Sequence, residues 1–136
     1  MRDGTGNLPS LPDVFPDYAT PVVRNGDGSE RELTVMRWGM PSPEFVSRGR
    51  NVDSGVKSPH WRRWLGPANR CLVYFTSFSE YVTTAEAKKV PMWFAAGENR
   101  PLMACAGIWT NWTRVRKTKE GEVQCRSLRL PDLRAE

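Results

Sequence analysis

The sequence predicts an α+β fold that is mainly antiparallel β. Three observations carry that class. A turn signal, Asn25-Gly26-Asp27-Gly28, sits between two β-prone runs. Two further apolar runs, Cys71–Phe75 and Leu102–Trp109, suit strands. One segment, opening at Ser58-Pro59, carries a helix start.

The elements follow in order. Residues 1–19 hold Gly4, Gly6, Pro9, Pro12 and Pro16 without periodicity and read as an extended lead-in. Pro21–Arg24 and Leu33–Trp38 form the arms of a hairpin, and Gly39, Pro41 and Pro43 stop the second arm. Residues 42–57 show no clear element. Ser58 then caps a helix with Pro59 at its first position, His60 to Leu65 form its body, and Gly66-Pro67 ends it. Trp61, Trp64 and Leu65 share one helix face, away from Arg62 and Arg63. The near-continuous apolar run Cys71–Phe75 predicts a strand buried on both faces. Residues 83–89 read as a polar connection of about one helical turn, 92–95 as a strand and 97–100 as a turn. Gly107, inside the run Leu102–Trp109, predicts a bulge or a close backbone approach. Residues 114–122 read as a charged loop, and 123–130 as a last strand. There are no internal repeats.

Composition narrows the function classes. The chain has 136 residues, so a single domain spanning 1–136 is expected. At 39% hydrophobic and 26% charged, it buries a modest core and lacks a run long enough to span a membrane. The net charge of +5 favours an anionic partner. Three cysteines with no CxxC spacing argue against a disulfide framework and for a reducing cytoplasm. No apolar leader precedes residue 20. A single histidine excludes any two-His metal site, and no P-loop, GxGxxG or zinc-finger spacing occurs. No cofactor or metal is expected, and the chain is expected to be a monomer.

Glu80 is the first chemical candidate. It ends the stretch Arg70–Tyr81, between Phe78 and Tyr81. A carboxylate in apolar surroundings is costly unless paired, hydrogen-bonded or used. In one reading Phe78 and Tyr81 desolvate it at the mouth of a pocket, and it serves as a general acid and base. In the other, commoner reading it is a strand-end carboxylate paired with Arg or Lys. His60 is open to a Cys-His or Ser-His dyad, or to plain helix packing, with no spacing that favours the dyad. Cys71 and Cys105 read as small buried hydrophobes, and Cys125 as a tail thiol beside Arg126. Basic and aromatic residues alternate at Arg37-Trp38, Arg48, Arg50, Trp61-Arg62-Arg63-Trp64 and Trp112–Lys117. They form either a groove for single-stranded nucleic acid or an ordinary core of Trp with Arg outside.

Several segments together resemble one family. They are Arg37-Trp38-Gly39-Met40-Pro41, Ser58-Pro59-His60-Trp61-Arg62-Arg63-Trp64-Leu65, Arg70–Val73 with Phe75–Tyr81, and Pro101-Leu102 leading to Ala106-Gly107-Ile108-Trp109. Gly6-Asn7-Leu8-Pro9 and Pro21–Arg24 match as well. Their order and spacing are similar to the SOS-response-associated peptidase (SRAP) family of abasic-site-processing proteins. The resemblance covers about residues 6–112 and leaves 113–136 as a divergent tail. It implies a compact α+β protein with a barrel-like β core and short flanking helices. It implies recognition of abasic sites in single-stranded DNA during the DNA damage response, in the cytoplasm and at the nucleoid. An N-terminal cysteine, bared by autoproteolytic removal of the initiator Met, would condense with the opened sugar to a thiazolidine crosslink. A glutamate, an asparagine and a histidine would surround it.

Carried onto this sequence, Glu80 takes the glutamate's place in its Phe-x-Glu-Tyr context. Asn51 is the candidate for the asparagine, although the arginine expected two places later is absent. Trp38, Gly39 and Pro41 match the motif that helps shape the DNA-binding face, and from the basic and aromatic runs Arg37, Trp38, Arg50, Arg62 and Arg63 are the candidates for holding DNA. The chain begins Met1-Arg2-Asp3, so the nucleophile is missing, and no segment matches the family histidine. The expectation is a SRAP-like domain, truncated at both ends, that does not complete the crosslink. Two other classes stay open: a non-catalytic basic module for single-stranded DNA, and a degraded remnant.

Overall fold

The computed structural model describes residues 1–28, 30–40, 59–115 and 122–130. Its core is a closed barrel of five strands: β2 (Ala19–Asn25), β3 (Arg31–Trp38), β4 (Arg70–Phe75), β7 (Met103–Val115) and β8 (Glu122–Arg129). Neighbours pair antiparallel around the barrel except at the closing seam, where β3 meets β8 in parallel through Arg37↔Ser127 and Trp38↔Leu128. A short strand β1 (Arg2–Asp3), unannounced by the lead-in's composition, borrows the rest of that β3 edge. The expected class, mainly antiparallel β with a barrel-like core and minimal helix, is the one observed.

The hairpin β2–β3 follows from its turn. Gly28 takes φ +76°, a left-handed value that suits glycine, and Gly26 N–H donates to Glu30 O at 2.8 Å. Gly39 ends β3 at φ +118° and donates its N–H to Leu128 O at 2.8 Å, which locks the hairpin to the last strand.

Side chains alternate between barrel interior and exterior. The interior holds Val22, Met36, Cys71, Val73, Trp109 and Leu128, with Trp38, Cys105 and Leu130 packed against them. Arg126 caps this core by donating to Thr34 Oγ1 at 3.1 Å. Strand β4 corrects the expectation of burial on both faces: Cys71 and Val73 are buried, whereas Leu72 and Tyr74 are exposed. A barrel encloses only one face, and the other stays wet unless something covers it. The helix supplies little cover. It runs only Pro59–Arg62 (α1). The chain then tightens into i→i+3 bonds, Trp64 N to Trp61 O and Leu65 N to Arg62 O, before Gly66-Pro67. Trp61 and Trp64 still share a face, and with Met40 and Ile108 they form a second, outer cluster.

Gly107 marks a close approach and not a bulge, because the β4–β7 register runs unbroken from Arg70↔Ile108 to Phe75↔Met103. A Cβ there would meet Cys71 Sγ at 3.0 Å and Arg129 O at 3.1 Å.

The remaining pair of strands, β5 (Phe78–Thr83) and β6 (Lys89–Phe94), stands outside the barrel as a two-stranded ribbon. The polar residues between them make a tight turn, with Thr84 N–H donating to Lys88 O at 2.9 Å, in place of the expected helical turn. No described helix is long and apolar enough to cross a membrane.

Two outcomes follow. Gly107→Ala is expected to lower stability by about 1–3 kcal/mol in urea denaturation, since overpacked cores lose that much. Adding Cys71→Ala should recover only part of it, because the Arg129 carbonyl cannot move without breaking the β7–β8 ladder. Burial, and then the neighbouring Cys105, pushes the Cys71 thiol up to about 12. The unfolded chain loses this proton near its ordinary 9.0 while the folded chain keeps it, so the stability the thiol contributes is complete below pH 9 and drains away from 9 to 12. The stability cost of Cys71→Ala should therefore shrink across that window; a cost that grows with pH contradicts the assignment.

Candidate nucleic-acid interface

The candidate site is the ribbon. After Phe75 the chain leaves the barrel at Thr76-Ser77 and starts β5. Phe78 anchors the departure: it meets Phe75 edge-on at 5.9 Å and stacks on Phe94 of β6 at 5.3 Å. An isolated two-stranded hairpin is marginal in water, so this aromatic root steadies the ribbon.

Register divides the ribbon into two faces. Ser79↔Trp93 and Tyr81↔Pro91 share one face; Phe78↔Phe94, Glu80↔Met92 and Val82↔Val90 share the other. Glu80 therefore sits among Phe78, Met92 and Val82, half-buried, and makes no hydrogen bond or ion pair with another described residue. The ion-paired reading finds no partner there. Tyr81 does not desolvate Glu80 as expected, because a strand turns successive side chains to opposite faces; Tyr81 is 73% exposed. On its face Trp93, 56% exposed, is a diagonal neighbour, and Lys89 lies farther along. Two large exposed rings and a lysine on one face of a ribbon are the residue types on which bases stack. Alternation counted outward from Glu80 and Trp93 was the sequence signal for this pair.

The other named residues are dispersed. Arg37 donates from Nε to Asp17 Oδ1 at 2.6 Å and is half-buried. Trp38 packs against the barrel core. Arg62, at the end of α1, and Arg63, just after it, are exposed, with the Arg63 guanidinium 4.6 Å from the Trp64 ring centroid. His60 packs edge-on against Trp61 and Trp64, at 4.5 and 5.2 Å. Arg48, Arg50, Asn51, Pro41 and Ser58 lie outside the described residues. Cys125 Sγ lies 3.3 Å from Ser127 Oγ, half-buried. Glu80 does not line the cavity beside α1.

Comparison with known proteins agrees with this architecture. The sequence profile described as SOS response associated peptidase (SRAP) matches residues 3–127. A crystal structure of a structural-genomics target from Bordetella bronchiseptica superimposes with a TM-score of 0.60 at 21% identity. It covers 90% of this chain, which spans 60% of that one. No curated protein matches in sequence.

An unpaired carboxylate among apolar side chains is a stability liability. Glu80→Met is expected to raise stability by about 0.5–2 kcal/mol in thermal or urea unfolding. A loss of stability would instead reveal a structural partner.

Proposed function

We propose, since this chain belongs to the SOS response associated peptidase (SRAP) family, that it binds single-stranded DNA at abasic sites through the β5–β6 ribbon. The observation that carries this reading is Glu80. It occupies the family's Phe-x-Glu-Tyr position, half-buried and unpaired among the described residues, on an exposed ribbon that also presents Tyr81 and Trp93. Bases stack on the two rings, and the net charge of +5 draws in the phosphate backbone.

Glu80 is assigned the proton traffic at the opened sugar. An amine nitrogen adds to the aldehyde carbon, and the carbonyl oxygen takes up a proton to become a hydroxyl. The protonated carboxyl then gives its proton to that hydroxyl, which leaves as water, and a protonated imine that keeps its N–H remains. As carboxylate, the same group receives the proton of a thiol whose sulfur adds to the iminium carbon, closing a ring with a neutral N–H. The ring needs amine and thiol on one residue. Cys71, Cys105 and Cys125 are all internal, so none of the three closes it. In a second reading the same surface binds single-stranded DNA without the covalent step.

Fluorescence anisotropy with a single-stranded oligonucleotide bearing one abasic site tests the binding. Tyr81→Ala and Trp93→Ala should each weaken Kd about tenfold, within the ~1–3 kcal/mol that a stacked base contributes. Affinity should fall steeply with salt. Salt-independent binding, or variants that bind as well as the parent, would remove the ribbon from the interface.

A further inference from the structure

A cavity of about 510 Å³ opens beside α1, bounded by β2, β4 and β7. The ribbon takes no part in it. Val23, Leu65, Leu72 and Ile108 supply much of its wall, and Trp61, only 2% exposed, lines it as well. Largely apolar walls of this kind suit the body of a small molecule, and the few polar groups at the rim then set its orientation.

The charge around the cavity has one sign. Arg24, Arg31, Arg70 and Arg129 reach the lining, and among the described residues no Asp or Glu does. Arg24 is engaged with Glu32 at 2.5 Å, and Arg129 lies 4.4 Å from the Trp61 ring centroid. Arg70 spends its Nε on Leu65 O at 2.9 Å. Arg31 and Arg70 form no ion pair among the described residues.

The geometry points to a binding site for a small organic anion: an aromatic or short acyl body carrying one carboxylate. The apolar body rests on Leu72, Ile108 and Trp61. The carboxylate faces Arg31 and Arg70. The volume suits a small molecule, and a largely apolar wall with a few placed polar groups is the ordinary make-up of such sites. A groove that tracks a phosphate backbone is charged along its length. This inference does not depend on the DNA reading, because it uses no residue of the ribbon.

Titration of 2-naphthoate into ¹⁵N-labelled residues 1–136 tests it. Saturable one-to-one binding is expected, and the backbone amide resonances of Leu72 and Ile108 should move. The double substitution Arg31→Glu/Arg70→Glu, at two exposed positions, should weaken binding at least tenfold. Ala106→Trp should abolish it by filling the cavity, with the circular dichroism spectrum retained. If that variant does not fold, the double arginine variant decides alone. Absence of saturation, or binding unchanged in the arginine variant, overturns the site. Deoxyadenosine monophosphate is the contrasting probe: tighter binding than naphthoate would overturn the carboxylate assignment in favour of a nucleotide.

Discussion

Closure of the barrel rests on a short parallel seam, Arg37-Trp38 against Ser127-Leu128, extended by the Gly39 N–H donating to Leu128 O. Ser127 and Leu128 are both 0% exposed. Leu128 fills the interior between Met36 and Trp109, so the last strand completes the core as well as the sheet. Without the seam, β3 and β8 become open edges, and the interior apolar residues lose the wall that excludes water. Contact between segments so distant in sequence carries a large loop-closure cost, which the buried seam must offset.

The barrel in turn makes the ribbon possible. Strand β4 is held by β2 and β7 on its two edges, and its continuation leaves the barrel at Thr76-Ser77. Phe75, Phe78 and Phe94 fix the direction of departure. Outside the barrel, alternation serves exposure: Tyr81 and Trp93 on one face, Glu80 on the other. A rigid scaffold that presents costly residues on a projecting element is the arrangement expected of a working surface. The liability at Glu80 and the exposed rings belong to the same element, which is why both are read as parts of one site.

Much of this was legible in the sequence, for local reasons. The β2–β3 hairpin could be read because Asn25-Gly26-Asp27-Gly28 dictates its own turn. The pairing of Trp61 with Trp64 followed from helical spacing, although the helix itself is one turn long. The closing seam was not legible, since nothing local in Arg37-Trp38 names Ser127-Leu128 as its partner. Strand β5 was hidden because Thr76-Ser77 lacks Gly or Pro, so residues 70–81 read as one run. Leu72 and Tyr74 suggested a doubly buried strand, because apolar residues on a barrel's outer face look the same in sequence as those inside. Glu80 was recognisable from its Phe-x-Glu-Tyr context, but its face, and that of Tyr81, needed the register. Asn51 and Arg50 fall outside the described residues, and the roles suggested for them rest on resemblance.

The central claim is that the ribbon is the surface that meets DNA. Backbone amide chemical-shift mapping, with a short single-stranded oligonucleotide carrying an abasic site added to ¹⁵N-labelled protein, tests it most directly. The account predicts the largest changes within residues 78–94, led by Tyr81 and Trp93. Changes confined to the barrel's outer face, with the ribbon unmoved, would contradict it.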